Sequence, residues 1–434
     1  MVQFVGFLLF LVFVDEYGLP YARAIASPFG WVHPLLLDPT AIKVRPFDLL
    51  VVGVLIWAST KGKREAMVAP MKTALFLVVL TTIFFFAYGM HHGGDARAAS
   101  WQVYLIFSAV LLAFTVAAIA RKAADFTVLA KWLVAAAIYR AAMCWISYLT
   151  WAHHLAGATG ATLTSHDDTI TWVVGVFVLV VDAIAEGSPK VYVRDGVLAL
   201  FFLGAIQFNS RRIAWVSLAM GLVVLYTLFP RSAAKRRINR AMTIFAPIVA
   251  LYVAVGWGRP NPIFFPLRSL SSVSTQEDTS TLARNAENLG LIATSNSSSL
   301  ALGTGWGKPY IFLTKKYDIS GIFDLWQYVP HNSILGLLAF TGFIGFAGFW
   351  LVMPTALFLN ARVARLAADT KARDVAAVAA AQLIVCANQL YGDMGIFLLK
   401  PMYALAISYA IALRLPTTAG VWGTPRQPAT VRRA

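Results

Sequence analysis

Apolar residues are gathered in long runs separated by short charged or Gly/Pro-rich stops. The runs fall near 1–14, 46–60, 70–90, 101–120, 128–151, 170–186, 195–209, 212–229, 241–257, 331–358, 375–392 and 396–414. A helix needs about 20 such residues to cross a hydrocarbon core of about 30 Å, and most runs approach that length. The pattern predicts an all-α polytopic membrane protein of about twelve transmembrane helices, organised as a single transmembrane domain over 1–434 with no internal repeat. The opening run, Met1 to Val14, resembles a signal-peptide core. It lacks a basic leader, and Asp15-Glu16-Tyr17-Gly18 is a poor cleavage site, so it reads as a retained first helix.

One polar segment, 258–330, interrupts this rhythm and ends in Pro330-His331-Asn332-Ser333-Ile334-Leu335, where a long apolar run begins. Inside it, Asp278 and Thr279 predict a cap for a helix whose apolar stripe is Leu282, Ala286, Leu289 and Ile292. Arg284 and Asn288 share its polar face with Glu287 beside them, and a solvated Arg284–Glu287 pair is the plain expectation. Gly303-Thr304-Gly305-Trp306-Gly307-Lys308-Pro309 lacks the Walker spacing and the Ser/Thr after the lysine, so it reads as a flexible turn. The polar tail 415–434 is expected to be disordered.

Composition narrows the class. With 59% hydrophobic and 13% charged residues and a mean hydropathy of +0.69, the chain cannot be a stack of soluble domains. The net charge of +16 works mainly as an orientation signal. If the N-terminus is cytoplasmic, 22 of the 36 Lys and Arg residues fall on short cytoplasmic loops, as the positive-inside rule requires. Both termini are then cytoplasmic, 258–330 becomes a periplasmic loop, and nucleic-acid binding is a poor explanation of the charge. Cys144 and Cys386 lie within apolar runs and have no metal-ligand spacing. Neighbouring histidines in His91-His92 and His153-His154 point apart, so no metal and no cofactor is expected.

The candidate chemistry lies on the predicted outer loops. Arg211 and Arg212 follow a short run, Gly196 to Phe208, whose length places them in a recess below the membrane surface as an anion clamp; snorkelling to lipid phosphates is the alternative. His331, after Pro330, is expected in the first turn of its helix, where the positive end of the helix dipole favours the neutral imidazole of a general base. A structural histidine is the plainer reading. Arg140 lies deep in a span, with its partner unidentified. Asp393, in Tyr391-Gly392-Asp393-Met394-Gly395, reads first as a turn residue and second as a group facing the same recess.

His331-Asn332-Ser333-Ile334-Leu335, continuing through Leu338 and Gly342 to Gly345, resembles the H-N-x-x-L…G-x-x-G signature of the O-antigen ligase and O-antigen polymerase superfamily. Ser210-Arg211 followed by Ala214-Trp215 resembles that family's S-R-x-x-W span start, and Arg284 ahead of Leu302-Gly303-Thr304-Gly305-Trp306-Gly307 resembles its R…G-x-G loop. Arg212 is an extra arginine relative to that pattern. The resemblance implies a GT-C-like inner-membrane glycosyltransferase working on the periplasmic face, without metal, on an undecaprenyl-diphosphate-linked glycan donor. A ligase passes the glycan to a lipid A-core acceptor; a polymerase passes it to another lipid-linked repeat. The ligase is preferred because one dominant outside loop in a compact chain fits it better. His331, Arg284 and Arg211 are the expected catalytic residues, and Arg212, Arg140, Asn332 and Asp393 the expected substrate contacts. A non-enzymatic exporter of lipid-linked sugars is the rival from another class, though such transporters usually carry internal repeats.

Overall fold

The computed structural model describes residues 1–15, 28–38, 44–61, 66–152, 163–209, 211–230, 233–259, 261–264, 267, 279–314, 321 and 324–423. Ser210, Asp278, the His153-His154 pair and 424–434 of the tail lie outside them. All regular elements among the described residues are helices: α1 (Val2–Val14), α2 (Pro46–Lys61), α3 (Ala69–His91), α4 (Ala96–Ile119), α5 (Ala123–Ser147), α6 (Asp168–Glu186), α7 (Pro189–Phe208), α8 (Arg212–Leu228), α9 (Ala233–Gly256), α10 (Thr279–Ser297), α11 (Ser333–Trp350), α12 (Val352–Leu366), α13 (Thr370–Gly392) and α14 (Leu399–Thr418), with short π and 3₁₀ turns between some of them. The chain is an all-α membrane protein. Seven helices among the described residues are long and apolar enough to cross a bilayer, and α1, α8 and the second half of α9 are apolar but shorter. Exposed Phe76, Leu80, Phe84, Leu200, Phe245 and Leu251 give the bundle an apolar outside, as a lipid solvent requires.

Two of the expected boundaries change in ways that matter. α7 starts at Pro189, capped by Ser188, whose Oγ accepts from Val191 N at 3.3 Å. Its 20 residues give a helix of about 30 Å. The short-span argument for recessing Arg211 and Arg212 therefore fails, because the chain keeps Arg194 in the helix by pairing it with Asp182 at 2.6 Å and Asp195 at 2.7 Å. At the other end of the sequence, α14 runs on to Thr418 through Pro416, so 415–418 are helical and not a disordered tail.

α14 is the axis of the bundle, packed on α4, α12 and α13 and buried along nearly its whole length. Small residues make this possible: Ala404, Ala406, Ala410 and Ala412 are buried on α14, and Ala376, Ala377, Ala380 and Ala381 on its neighbour α13. In lipid the drive for helix association is close packing and interhelical hydrogen bonding. The bonds are present too, with Asn360 Nδ2 donating to Ser408 O at 3.2 Å, Ser408 Oγ to Ala379 O at 3.3 Å, and Gln382 Nε2 to Ala404 O.

α11 breaks in mid-course. Gly342 has φ +57° and ψ −169°, and the Gly-rich loop seats itself in the gap. Thr304 N donates to Ala339 O at 3.1 Å and Gly305 N to Phe340 O at 2.7 Å, while Phe343 N and Ile344 N donate to Leu300 O and Ala301 O at 2.9 and 3.1 Å. Thus backbone groups on both sides of the break are paired by the loop, which lets the break persist inside an apolar helix. The flexible-turn reading of 303–309 is corrected: Trp306 is fully buried against Phe340 and Phe349, and Gly305 packs on Gly89 of α3. A Cβ on Gly342 would meet the Ala301 carbonyl at 2.4 Å, so this glycine answers both to its positive φ and to the loop.

We expect Gly342→Val to destabilise the protein by about 2–4 kcal/mol, through strain and displacement of the loop. Thermal unfolding in detergent, with exposure of the Trp306 indole followed by fluorescence, checks this. An unchanged Tm with Trp306 still buried would show that the break is not held by its glycine.

Candidate functional site

Five chain segments converge at one end of the bundle: the turn before α6, the turn before α8, the middle of α10, the start of α11 and the end of α13. α10 reaches this point with an unexpected side inward. Glu287, Gly290, Leu291 and Thr294 are buried, while Leu289 and Ile292 of the predicted stripe are exposed. The rotation follows from Gly290, where a Cβ would lie 2.3 Å from Ile311 O, and from Thr294 Oγ1, which accepts from Ile311 N at 2.7 Å. A helix that presents a glycine can approach the 310–311 backbone closely, and that approach turns Glu287 toward α11.

Glu287 then holds the start of α11. Its Oε1 accepts from His331 N at 2.7 Å and Asn332 N at 3.3 Å, and its Oε2 lies 2.9 Å from His331 Nδ1. A carboxylate only accepts, so Nδ1 carries the proton and Nε2 of the neutral ring presents a lone pair. Among the described residues Nε2 has no hydrogen-bond partner. His331 is thus not in the first helical turn: Asn332 is the N-cap, its Oδ1 accepting from Leu335 N at 3.1 Å, and His331 stands one residue before it. Its orientation comes from a carboxylate, and the helix dipole is secondary. The expected Arg284–Glu287 pair is replaced, because Glu287 is taken up by His331. Asn332 is occupied too, since it is buried, caps the helix and donates through Nδ2 to Asn288 Oδ1 at 3.2 Å. That makes it a positioning residue in place of the expected substrate contact.

Asp393 is the second centre, and the turn-residue reading of it is corrected. It is 2% exposed, and its carboxylate faces His166 Nδ1 at 3.1 Å, Gln389 Nε2 at 3.1 Å and Arg284 at 3.5 Å. Burial alone would raise its pKa; the hydrogen bond from His166, with the Arg284 and Arg211 charges nearby, holds it below the ordinary carboxylate range. The next residue, Met394, takes a left-handed conformation at φ 56° and donates its N–H to His331 O at 2.7 Å, which fastens the two centres together.

Arg211 completes the group, its Nη2 lying 2.6 Å from His166 Nε2. Burial pushes its pKa down to about 10, with Asp393 acting against that shift, and it remains a cation at neutral pH. The exposures have a consistent order: Asp393 and Glu287 side chains are 2% and 10% exposed, those of His331, Arg284 and His166 32%, 34% and 43%. Carboxylates form the floor and cations and imidazoles the open lip, an arrangement that offers a polyanion several donors and no facing negative charge. Among the described residues no three His, Cys, Asp or Glu side chains converge as metal ligands do.

Arg212 and Arg140 stand apart from this lip. Arg212 begins α8 and reaches Thr281 Oγ1 at 3.5 Å. Arg140 is fully buried, and its partner is Asp168, which it grips through Nε at 3.0 Å and Nη2 at 2.5 Å. Lys400 Nζ also lies 2.5 Å from Asp168. This ion triad lies beneath the lip, joined to it by the two residues from His166 to Asp168. The expectation that Arg140 touches substrate is replaced by a role in holding α5, α6 and α14 together.

Sequence reasoning named His331, Arg284, Arg211 and Asp393, which the structure does bring together. It missed His166 and gave Glu287 only a solvated pairing. A polar Ser165-His166-Asp167-Asp168 cluster before an apolar run was the available signal for the first. Comparison with protein-family models and with curated proteins finds no match for this chain.

The buried triad gives the strongest stability expectation here. Arg140→Leu leaves Asp168 with Lys400 alone in an apolar surround, and the loss should be about 3–5 kcal/mol. Asp393 adds a pH dependence. Because its folded pKa is below the ordinary carboxylate value, its contribution is complete above about pH 4 and is lost as pH falls through about 2. Unfolding of wild type, Arg140→Leu and Asp393→Asn against pH measures both, and an Arg140→Leu protein as stable as wild type would remove the triad from the account.

Proposed function

We propose that this protein is a glycosyltransferase of the O-antigen ligase type, moving a glycan from undecaprenyl diphosphate to a sugar hydroxyl of a lipid A-core acceptor. The observation that carries the proposal is the Glu287–His331 pair at 2.9 Å, with Nε2 unengaged among the described residues and the Asp393 group, which gathers Arg284 and Arg211, fastened to it by Met394 N donating to His331 O. The motif order in the sequence supports the same reading. In it the chain crosses a bacterial inner membrane twelve times, both termini are cytoplasmic, and the lip and the 258–330 loop face the periplasm, in accord with the excess of Lys and Arg on the opposite loops.

The chemistry needs a base for the acceptor hydroxyl and cations for the departing diphosphate. His331 Nε2 takes the hydroxyl proton as the oxygen attacks the anomeric carbon. The bond from that carbon to the diphosphate oxygen breaks, and the electron pair leaves with the phosphate. Glu287 stabilises the imidazolium through Nδ1–H and keeps the reactive nitrogen pointed outward, as the orienting carboxylate of a triad does. Arg284 and Arg211 receive the growing phosphate charge as fixed cationic donors, a task for which a guanidinium fork is suited to two oxygens at a time. Surrounding membrane lipids deliver the donor along the bilayer plane. A polymerase would share every one of these steps and differ in its acceptor, another lipid-linked repeat.

The test is single-turnover transfer by purified protein in nanodiscs, with lipid A-core or a second lipid-linked glycan as acceptor. His331→Ala should lose on the order of 10²- to 10⁴-fold in transfer while still binding the donor. Glu287→Gln should lose on a similar order, since an amide can face Nδ1 with its N–H and force the wrong tautomer. Arg284→Ala should cost on the order of 2–4 kcal/mol of transition-state stabilisation, with Arg284→Lys recovering only part. Full transfer by His331→Ala, or passage of the donor across the bilayer with no transfer by the wild type, would overturn the proposal; the second outcome would favour an exporter.

A further inference from the structure

His166 stands between a cation and a carboxylate. Its Nδ1 faces Asp393 at 3.1 Å and its Nε2 faces Arg211 Nη2 at 2.6 Å. A guanidinium has only donors, so the ring nitrogen it meets must accept; the ring is therefore neutral, with its proton on Nδ1 and given to Asp393. Remove the ring, and a flexible arginine faces a buried carboxylate with nothing between them. A direct Arg211–Asp393 ion pair would then form, because a buried carboxylate attracts the nearest mobile cation. Such a pair would spend the positive charge that a phosphate has to meet. Arg211 is not saturated as it stands, since its enclosed Nε has no hydrogen-bond partner among the described residues.

We propose that His166 is a positioning residue: it links Arg211 to Asp393 through a neutral ring, prevents their direct ion pair, and so keeps the guanidinium available to a diphosphate oxygen. This rests on the lipid-diphosphate reading above. The charged groups around the ring agree with a neutral state held by its two partners. Asp393 comes from the end of α13 and Arg211 from the turn before α8; Arg284 of α10 meets the same carboxylate. Asp167 and Asp168, next in the chain, are turned to Lys400 of α14, and Asp168 also to Arg140 of α5. Protonating the ring would remove the Nε2 lone pair and set two cations at hydrogen-bond distance, which breaks the link.

The experiment measures binding alone, so that His331 does not enter it. The probe is undecaprenyl diphosphate carrying one sugar, titrated into full-length protein in nanodiscs. His166→Ala should bind it roughly 10- to 100-fold more weakly than wild type, the scale of one charge-assisted contact. His166→Gln should bind within a few-fold of wild type, because an amide donates to Asp393 and accepts from Arg211 with the same polarity. Adding Asp393→Asn to His166→Ala should recover binding, since no carboxylate remains to capture the arginine; a merely structural histidine predicts a further loss. Equal binding by wild type and His166→Ala, or no recovery in the double variant, overturns the positioning role. No binding by wild type overturns the functional reading first, and this inference with it.

Discussion

A carboxylate buried at the end of a membrane helix must be paired, and Asp393 meets that requirement with groups from two other parts of the chain and one from its own helix. His166 precedes α6, Arg284 belongs to α10, and Gln389 lies one turn back on α13. Since an unpaired buried charge costs several kcal/mol, the geometry of the lip follows from satisfying this one group. The neighbouring Met394 then carries the constraint to α11 through His331 O. Its left-handed φ is the local strain that a single hydrogen bond to His331 O offsets.

The second centre depends on a different kind of constraint, one of backbone accounting. α11 is held at its start by Glu287 and Asn332 and in its middle by the seated loop at Gly342. That loop and α10 lie on the same stretch of chain, joined by 298–302. Whatever fixes the loop in the bundle therefore also fixes α10, and with it Glu287 and Arg284. Gly290 sets how closely α10 can approach, and so whether a glutamate reaches His331 Nδ1 at all. A site on a polar insertion thereby gains the rigidity of the membrane helices beneath it.

The sequence conveys the membrane class, the position of most helices and four of the site residues, because those properties are written in run lengths and in charges placed where charges are costly. It misleads where tertiary contact decides. The hydrophobic stripe of α10 predicts Leu289 and Ile292 inward, yet a glycine and a threonine win that face by allowing backbone approach. Arg194 made the run before Phe208 look short, and two carboxylates restore it to a full helix. Arg140 suggested a ligand, and the carboxylate that pairs with it lies 28 positions away, beyond the reach of any local pattern. The polar cluster around His166 could not say what the ring meets, its partners being 45 and 227 positions distant.

The two histidine–carboxylate pairs look alike, and only their free ends separate them. In both, Nδ1 faces a buried carboxylate, which fixes the tautomer and leaves Nε2 as the lone-pair nitrogen. At His166 that lone pair is already engaged by Arg211 at 2.6 Å. A proton arriving there would have to displace a guanidinium and stand next to it, a combination of lost hydrogen bond and like-charge contact that opposes any role as base. At His331 the lone pair is open among the described residues, and the proton it gains is balanced by Glu287 with no cation in hydrogen-bond contact. One end of the bundle therefore divides its labour by the partner at Nε2: the ring whose Nε2 is open among the described residues is fitted to take a proton, and the ring whose Nε2 meets an arginine is fitted to hold that arginine in place.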